Sequence, residues 1–188
     1  TYRDFIGYNI GLDLLFLPGN SGFPNDVDVY RYAANSINEV QTQGASIGLN
    51  YYLDNKFMLA GNYSWNELVK TDEDDPIIPA FNTPKHKYNL SLTARDLKLK
   101  GKSTWGFGVN YKWVQGFVFE GSPQFTGTVP TYDLLDAQVN ANFEKINTTV
   151  KLGGSNLLQN IHIEAYGGPY VGRMLYASLL YEFNHKKK

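Results

Sequence analysis

Apolar residues recur at every second position along most of this chain, and few folds satisfy that period. Ile6, Tyr8, Ile10, Leu12, Leu14 and Phe16 alternate with Gly7, Asn9, Gly11 and Asp13. Ala45, Ile47, Leu49, Tyr51 and Leu53 alternate with Gly44, Ser46, Gly48 and Asn50; Phe57, Leu59, Gly61, Tyr63 and Trp65 alternate with Met58, Ala60, Asn62 and Ser64. The pattern returns at Tyr88 to Ala94, Trp105 to Trp113, Leu135 to Phe143, Thr148 to Gly154 and Leu175 to Phe183. Successive side chains of a strand point to opposite faces, so this period marks strands with one apolar face. The chain reads as all-β.

The spacing between strands alternates. Tight turns are expected at Asp54–Lys56, Asp96–Lys102 and Glu144–Asn147, and long connections at Leu17–Asp28, Glu67–Pro84, Val114–Pro130 and Leu157–Tyr170. Short turns at one end and long loops at the other are the asymmetry of an outer-membrane barrel. Keeping that alternation requires Val29 to Leu53 to be one long strand, which makes eight strands in all.

Period two alone does not say which face is outside. The apolar series carries no charge, whereas the opposite series holds Gly, Ser, Asn, Thr and Ala with Asp13, Lys112, Asp136, Lys151 and Glu182. A charge facing lipid costs roughly 2–4 kcal/mol at mid-bilayer, which accounts for a charge-free face. Tyr63 with Trp65, Tyr111 with Trp113, and Tyr181 with Phe183 collect near strand ends, where rings suit the headgroup interface. The apolar face is therefore read as lipid-facing. Composition agrees: 14 Tyr, 11 Phe and 18 Gly in 188 residues, without the run of about 20 apolar residues that a membrane helix needs. A net charge of −1 argues against a nucleic-acid partner, and the absence of Cys rules out a disulfide framework.

Gly44, Gly48, Gly106, Gly108 and Gly153 on the polar face add no volume, so a small closed barrel lined this way would be under-filled. A wide bore tolerates them. An antiparallel, up-and-down transmembrane barrel of about eight strands, forming part of a larger one, is expected over residues 1–183, with a basic tail at 184–188.

Several segments carry a family likeness: YRYAANSINEVQTQGASIGLNYYL, GNYSWN, DDPIIPAFNTPKHKYNLSL, PTYDLLDAQVNANF, KLGGSNLLQN and YGGPYVGRMLYASLLYEF. In this order they resemble the C-terminal barrel region of TonB-dependent outer-membrane receptors of the Bacteroidetes type. The resemblance implies that these eight strands are the last eight of a barrel of roughly 22. It also implies a plug domain elsewhere, import of a scarce nutrient powered through the TonB complex, and a possible surface lipoprotein partner. Tyr181 and Phe183 match the terminal strand that the barrel-assembly machinery is thought to read, although the chain runs on as Asn184-His185-Lys186-Lys187-Lys188. The alternatives are a free-standing eight-stranded barrel with a structural or adhesive role, and a soluble lipocalin-like binder.

Little chemistry competes with this reading. Asp72-Glu73-Asp74-Asp75 reads as a solvated acidic loop, with calcium as the alternative, and Pro76 and Pro79 stiffen it. His86, His162 and His185 lack metal-ligand spacing and have no nucleophile motif beside them, so no catalytic residue, metal or cofactor is expected. Trp113, Phe117 and Phe119, in the stretch from Trp113 to Gly121, are candidates for stacking against a substrate; an interfacial belt running into a loop is the competing reading. Asn156 and Gly167-Gly168-Pro169 read as turn residues.

Overall fold

Alternating β-branched and aromatic residues form twelve strands in a computed structural model that describes residues 2–3, 6–15, 26–35, 40–70, 81–98, 103–121 and 125–183. They are β1 (Tyr2–Arg3), β2 (Ile6–Leu15), β3 (Asp26–Asn35), β4 (Val40–Tyr52), β5 (Phe57–Lys70), β6 (His86–Lys98), β7 (Ser103–Val114), β8 (Phe117–Phe119), β9 (Gly127–Val129), β10 (Tyr132–Phe143), β11 (Thr148–Ser155) and β12 (Met174–Tyr181). No described helix is long and apolar enough to cross a membrane.

The chain divides into two compact units. In the first, Thr1–Gln43 with Glu67–Phe81, β2 and β3 pair antiparallel from Ile6 opposite Asn35 to Leu15 opposite Asp26. There β1 pairs with Val40 and Gln41 of β4, and Gln43 Nε2 donates to Glu67 Oε2 at 3.0 Å.

The second unit, Gly44–Asn66 with Asn82–Lys188, contains a sheet in the order β4-β5-β6-β7-β10-β11-β12. Its register settles how the apolar series is arranged. Leu92, Val109, Ala137, Gly154 and Leu175 lie opposite one another across five strands. Two residues along each strand, Ala94, Phe107, Val139, Leu152 and Ala177 do the same. One apolar face therefore runs unbroken across the sheet. Ile47, Leu49 and Leu179 on it are each about 70 % exposed. The described core holds only Ala94, Val114, Val129, Tyr132 and Ala141. In water such a continuous apolar face would demand a partner; in hydrocarbon it is already solvated. Val109 and Leu179 line no dry centre, so nothing here resembles the interior of a lipocalin. The sheet does not close on itself, because β12 is its edge and pairs only with β11.

Val29 to Leu53, expected as one strand, is described as the end of β3 and as β4, with residues 36–39 between them outside the described residues. The two pair in turn with β2 and β1, consecutive pieces of the N-terminal segment: Asn35 lies opposite Ile6, and Val40 opposite Arg3. Three boundaries differ from the sequence reading. Asp96–Lys98 belong to β6, reached through a register shift between Ala94 and Leu97 with Asp96 at φ 54°; a one-residue bulge hides a strand from a period-two count. Glu67–Lys70 extend β5. The Val114–Pro130 connection contains a small hairpin of β8 and β9, as its Phe-Val-Phe and Gly-Thr-Val segments favour. The expected loop at Leu17–Asp28 falls outside the described residues except for Asp26–Asp28, which begin β3, and the Asp72–Asp75 run lies wholly outside them.

The turns close locally. Asp54 Oδ1 accepts the Lys56 and Phe57 N–H groups at 2.6 and 2.8 Å, and those bonds hold its carboxyl below its ordinary value. Between β10 and β11, a 3-10 turn at Glu144–Ile146 ends on Asn147 in the left-handed region, φ 48° and ψ 42°.

Candidate functional site

The polar face of the second unit is tiled. Thr93, Gly108, Gln138, Gly153 and Tyr176 lie opposite one another across five strands. A methyl on Gly153 would collide with the Tyr176 ring, because that ring lies flat across the glycine and its Oη donates to Gln138 Oε1 at 3.3 Å. Gln138 in turn covers Gly108, and Asn140 covers Gly106. Large polar side chains thus fill the places their neighbours leave empty, and the wall is smooth where the sequence suggested voids. Beside this row lies an open concavity of about 310 Å³ whose polar lining includes Ser91, Asn110, Asp136, Gln138, Ser155 and Tyr176. A concavity on the polar face of five neighbouring strands is what the inner wall of a barrel presents.

Asp136 has a second task. Its Oδ1 accepts Ser155 Oγ at 2.8 Å and the Asn156 N–H at 2.9 Å. Asn156 is 1 % exposed and left-handed at φ 52°. Its amide closes the loop that follows: Nδ2 donates to Asn160 O at 2.8 Å, and Oδ1 accepts the Asn160 N–H at 2.9 Å. Asn160 Nδ2 then reaches Asp133 Oδ1 at 2.9 Å. Two carboxylates and two asparagines tie the start of the 156–171 loop to β10.

His162 sits above this network, 5 % exposed, stacked on Tyr132 with centroids 4.2 Å apart. Its Nδ1 lies 2.9 Å from Asn160 O. A carbonyl only accepts, so Nδ1 carries the proton, and Nε2 is buried without a hydrogen-bond partner among the described residues. Reciprocal backbone bonds between His162 and Val171 close the loop behind it. Around Tyr132, Val114 and Val129 form a small core against which Phe117, Phe119, Leu134 and Ile163 pack.

The loops at this end interlock. Asn82 grips the Glu120 backbone from both sides, Nδ2 donating to its carbonyl at 3.0 Å and Oδ1 accepting its N–H at 2.7 Å. The Tyr166 ring occupies the space beside Gly127, and the Phe125 ring that beside Gly167. Each of the two loops lays an aromatic ring on the other's glycine. Gly167, at φ +78°, suits a turn that other residues enter at a cost.

The apolar face carries an aromatic band at the same end. Tyr88 stacks on Trp113 at 5.4 Å and contacts Tyr111, while Tyr63 Oη and His86 Nδ1 are hydrogen-bonded at 2.6 Å. Asp133 lies opposite Trp113 on this face, so the charge-free stretch of β10 begins at Leu135. Arg31 lies opposite Ile10 in the β2–β3 pair. The residues singled out for substrate stacking do not form one group: Trp113 joins the band, while Phe117 and Phe119 pack into the Val114–Val129–Tyr132 core. Tyr181 and Phe183 meet edge to face at 4.7 Å, both exposed. His185 lies outside the described residues.

Asp136 was visible in the sequence only as one charge on the polar series, and Asn156 only as a turn residue. The sole hint that they act together is the spacing that puts a strand-end Asn after Gly153-Gly154-Ser155. The family model described as TonB dependent receptor-like, beta-barrel, matches residues 1–157.

The chain belongs to that family.

No curated protein and no solved structure matches it. TonB-dependent receptors are outer-membrane transporters of Gram-negative bacteria rather than enzymes, and their barrels work with a plug domain and TonB. The match to this receptor barrel stops short of β12, so the terminal-strand role of Tyr181 and Phe183 rests on resemblance alone.

Proposed function

We propose that this receptor barrel segment is part of the wall of a transporter of the Bacteroidetes type, one that imports a scarce nutrient through a bore of roughly 22 strands. Its apolar face meets lipid, its tiled polar face meets the ligand path, and the interlocked loops form the rim at the outer surface. The plug, the TonB contact and any surface lipoprotein partner are contributed by other parts or partners of the assembly. Phe117 and Phe119 stiffen the rim, Trp113 anchors the wall at the headgroup level, and Tyr181 and Phe183 offer the assembly machinery its closing aromatics. The observation that carries this reading is the continuous charge-free register across five strands from β6 to β12, set against a polar concavity on the opposite face.

Charge placement tests it. In the full-length protein, Val109→Arg should cost roughly 2–4 kcal/mol and sharply lower the heat-modifiable, folded form in outer membranes, whereas Asn110→Arg next to it should be tolerated. The opposite ranking would invert the faces and remove the transporter wall. Import is checked by competitive growth of a strain lacking the protein across nutrient-limited media. A defect shared with a TonB-deficient strain is expected; fitness equal to the parent in every medium would end the import reading.

A further inference from the structure

We propose that Asp136 is a positioning residue that couples the bore wall to the foot of the 156–171 surface loop, which Asp133 holds further on through Asn160. It rests on the transporter reading for its sense of inside and outside. Asp136 lines the polar concavity, yet both donors on its Oδ1, the Ser155 hydroxyl and the Asn156 N–H, belong to the first residues of the loop's anchor. Among the described residues no donor reaches its other oxygen. The anchor itself has little slack: Asn156 is buried, left-handed, and bonded to Asn160 at both ends of its amide. The Leu157 N–H also reaches back to Leu135 O at 2.7 Å. From Asn160 the chain of contacts continues to His162 and, through its bridge with Val171, to the far side of the loop. Removing the carboxylate leaves a buried N–H and a hydroxyl without their acceptor, and the loop's foothold loosens while the strands keep their ladder. A donor group on a ligand in the bore, a hydroxyl, amide or ammonium, would meet the same carboxylate from the other side.

The experiment uses the full-length receptor in cells, with a single cysteine introduced at exposed Ile161 in the loop or at exposed Ile146 in the opposite turn, and a membrane-impermeant maleimide as probe. Asp136→Ala should speed labelling at position 161 about tenfold, the change that loss of a charge-assisted hydrogen bond predicts. Labelling at 146, read in permeabilised cells, and heat-modifiable migration should be unchanged. Asp136→Asn keeps an acceptor in place and should return labelling close to the parent rate. If Asp136→Ala does not assemble, Ser155→Ala decides, with an expected rise of about threefold. Labelling at 161 that does not change, or that rises together with labelling at 146, overturns the inference. A position 161 that reacts only after permeabilisation overturns the sidedness of the transporter reading instead, and the Asp136 effect is then still read in permeabilised cells.

Discussion

The two ends of the second unit's sheet are stabilised by different means. At the turn end the bonds that close each turn are local: Asp54 bonds groups two and three residues ahead, and the Glu144–Ile146 turn closes on the next residue, Asn147. Neighbouring strands add backbone bonds there, such as Arg95 N–H to Lys56 O. At the loop end the bonds reach far along the chain, with 38 residues between Asn82 and Glu120 and 27 between Asp133 and Asn160. Local turns close early and set the register. The loop end orders only after distant strands are side by side, and it then acts as one body because each loop holds part of another.

Two left-handed asparagines, Asn156 at the loop end and Asn147 at the turn end, sharpen this contrast. Asn156→Ala should weaken the loop end by about 2–4 kcal/mol, combining left-handed strain with the loss of two buried amide bonds. Asn156→Gly should recover little, since the side chain carries most of the effect; hydrogen exchange of the 156–171 amides in the full-length protein measures both. Recovery by glycine would mean the loop needs only the backbone shape and would break the comparison. At the turn end the opposite is expected. Asn147→Ala should cost about 1 kcal/mol and Asn147→Gly almost nothing, read as midpoint shifts in urea-induced unfolding.

The smallest effect concerns pH. The folded turn holds the Asp54 carboxyl below its ordinary value through the Lys56 and Phe57 N–H groups. Its contribution is therefore present above the ordinary carboxylate range and is lost as pH falls through the lowered value. Asp54→Ala should slightly lower stability at neutral pH and make no difference once the pH lies below the lowered value. Equal unfolding midpoints at pH 7 would show that the bonds do not matter to the turn.

These differences also explain what could be read in advance. Alternation revealed the strands from Tyr88 to Phe183 and their common face, because period two is a property of each strand alone. The Glu144–Asn147 turn was legible for the same reason. The bulge at Asp96 was not, since one extra residue breaks the count. At the candidate site, Asp136 and Gln138 were visible as polar positions. Their joint use with Asn156 and Tyr176 was not, because it is created by the register between β10, β11 and β12. Trp113, Phe117 and Phe119 are close in sequence, yet strand alternation and the hairpin send them to different neighbours.

The rings that lie across glycines have one more effect. A slip of two residues between neighbouring strands keeps every side chain on its own face, so hydrophobic patterning cannot detect it. It would, however, carry Tyr176 from Gly153 onto Leu152's neighbour Lys151 or onto Ser155, where there is no hollow to receive a ring. Each such fit works as a key cut for one alignment, and a strand arriving during assembly would settle only where ring and hollow coincide.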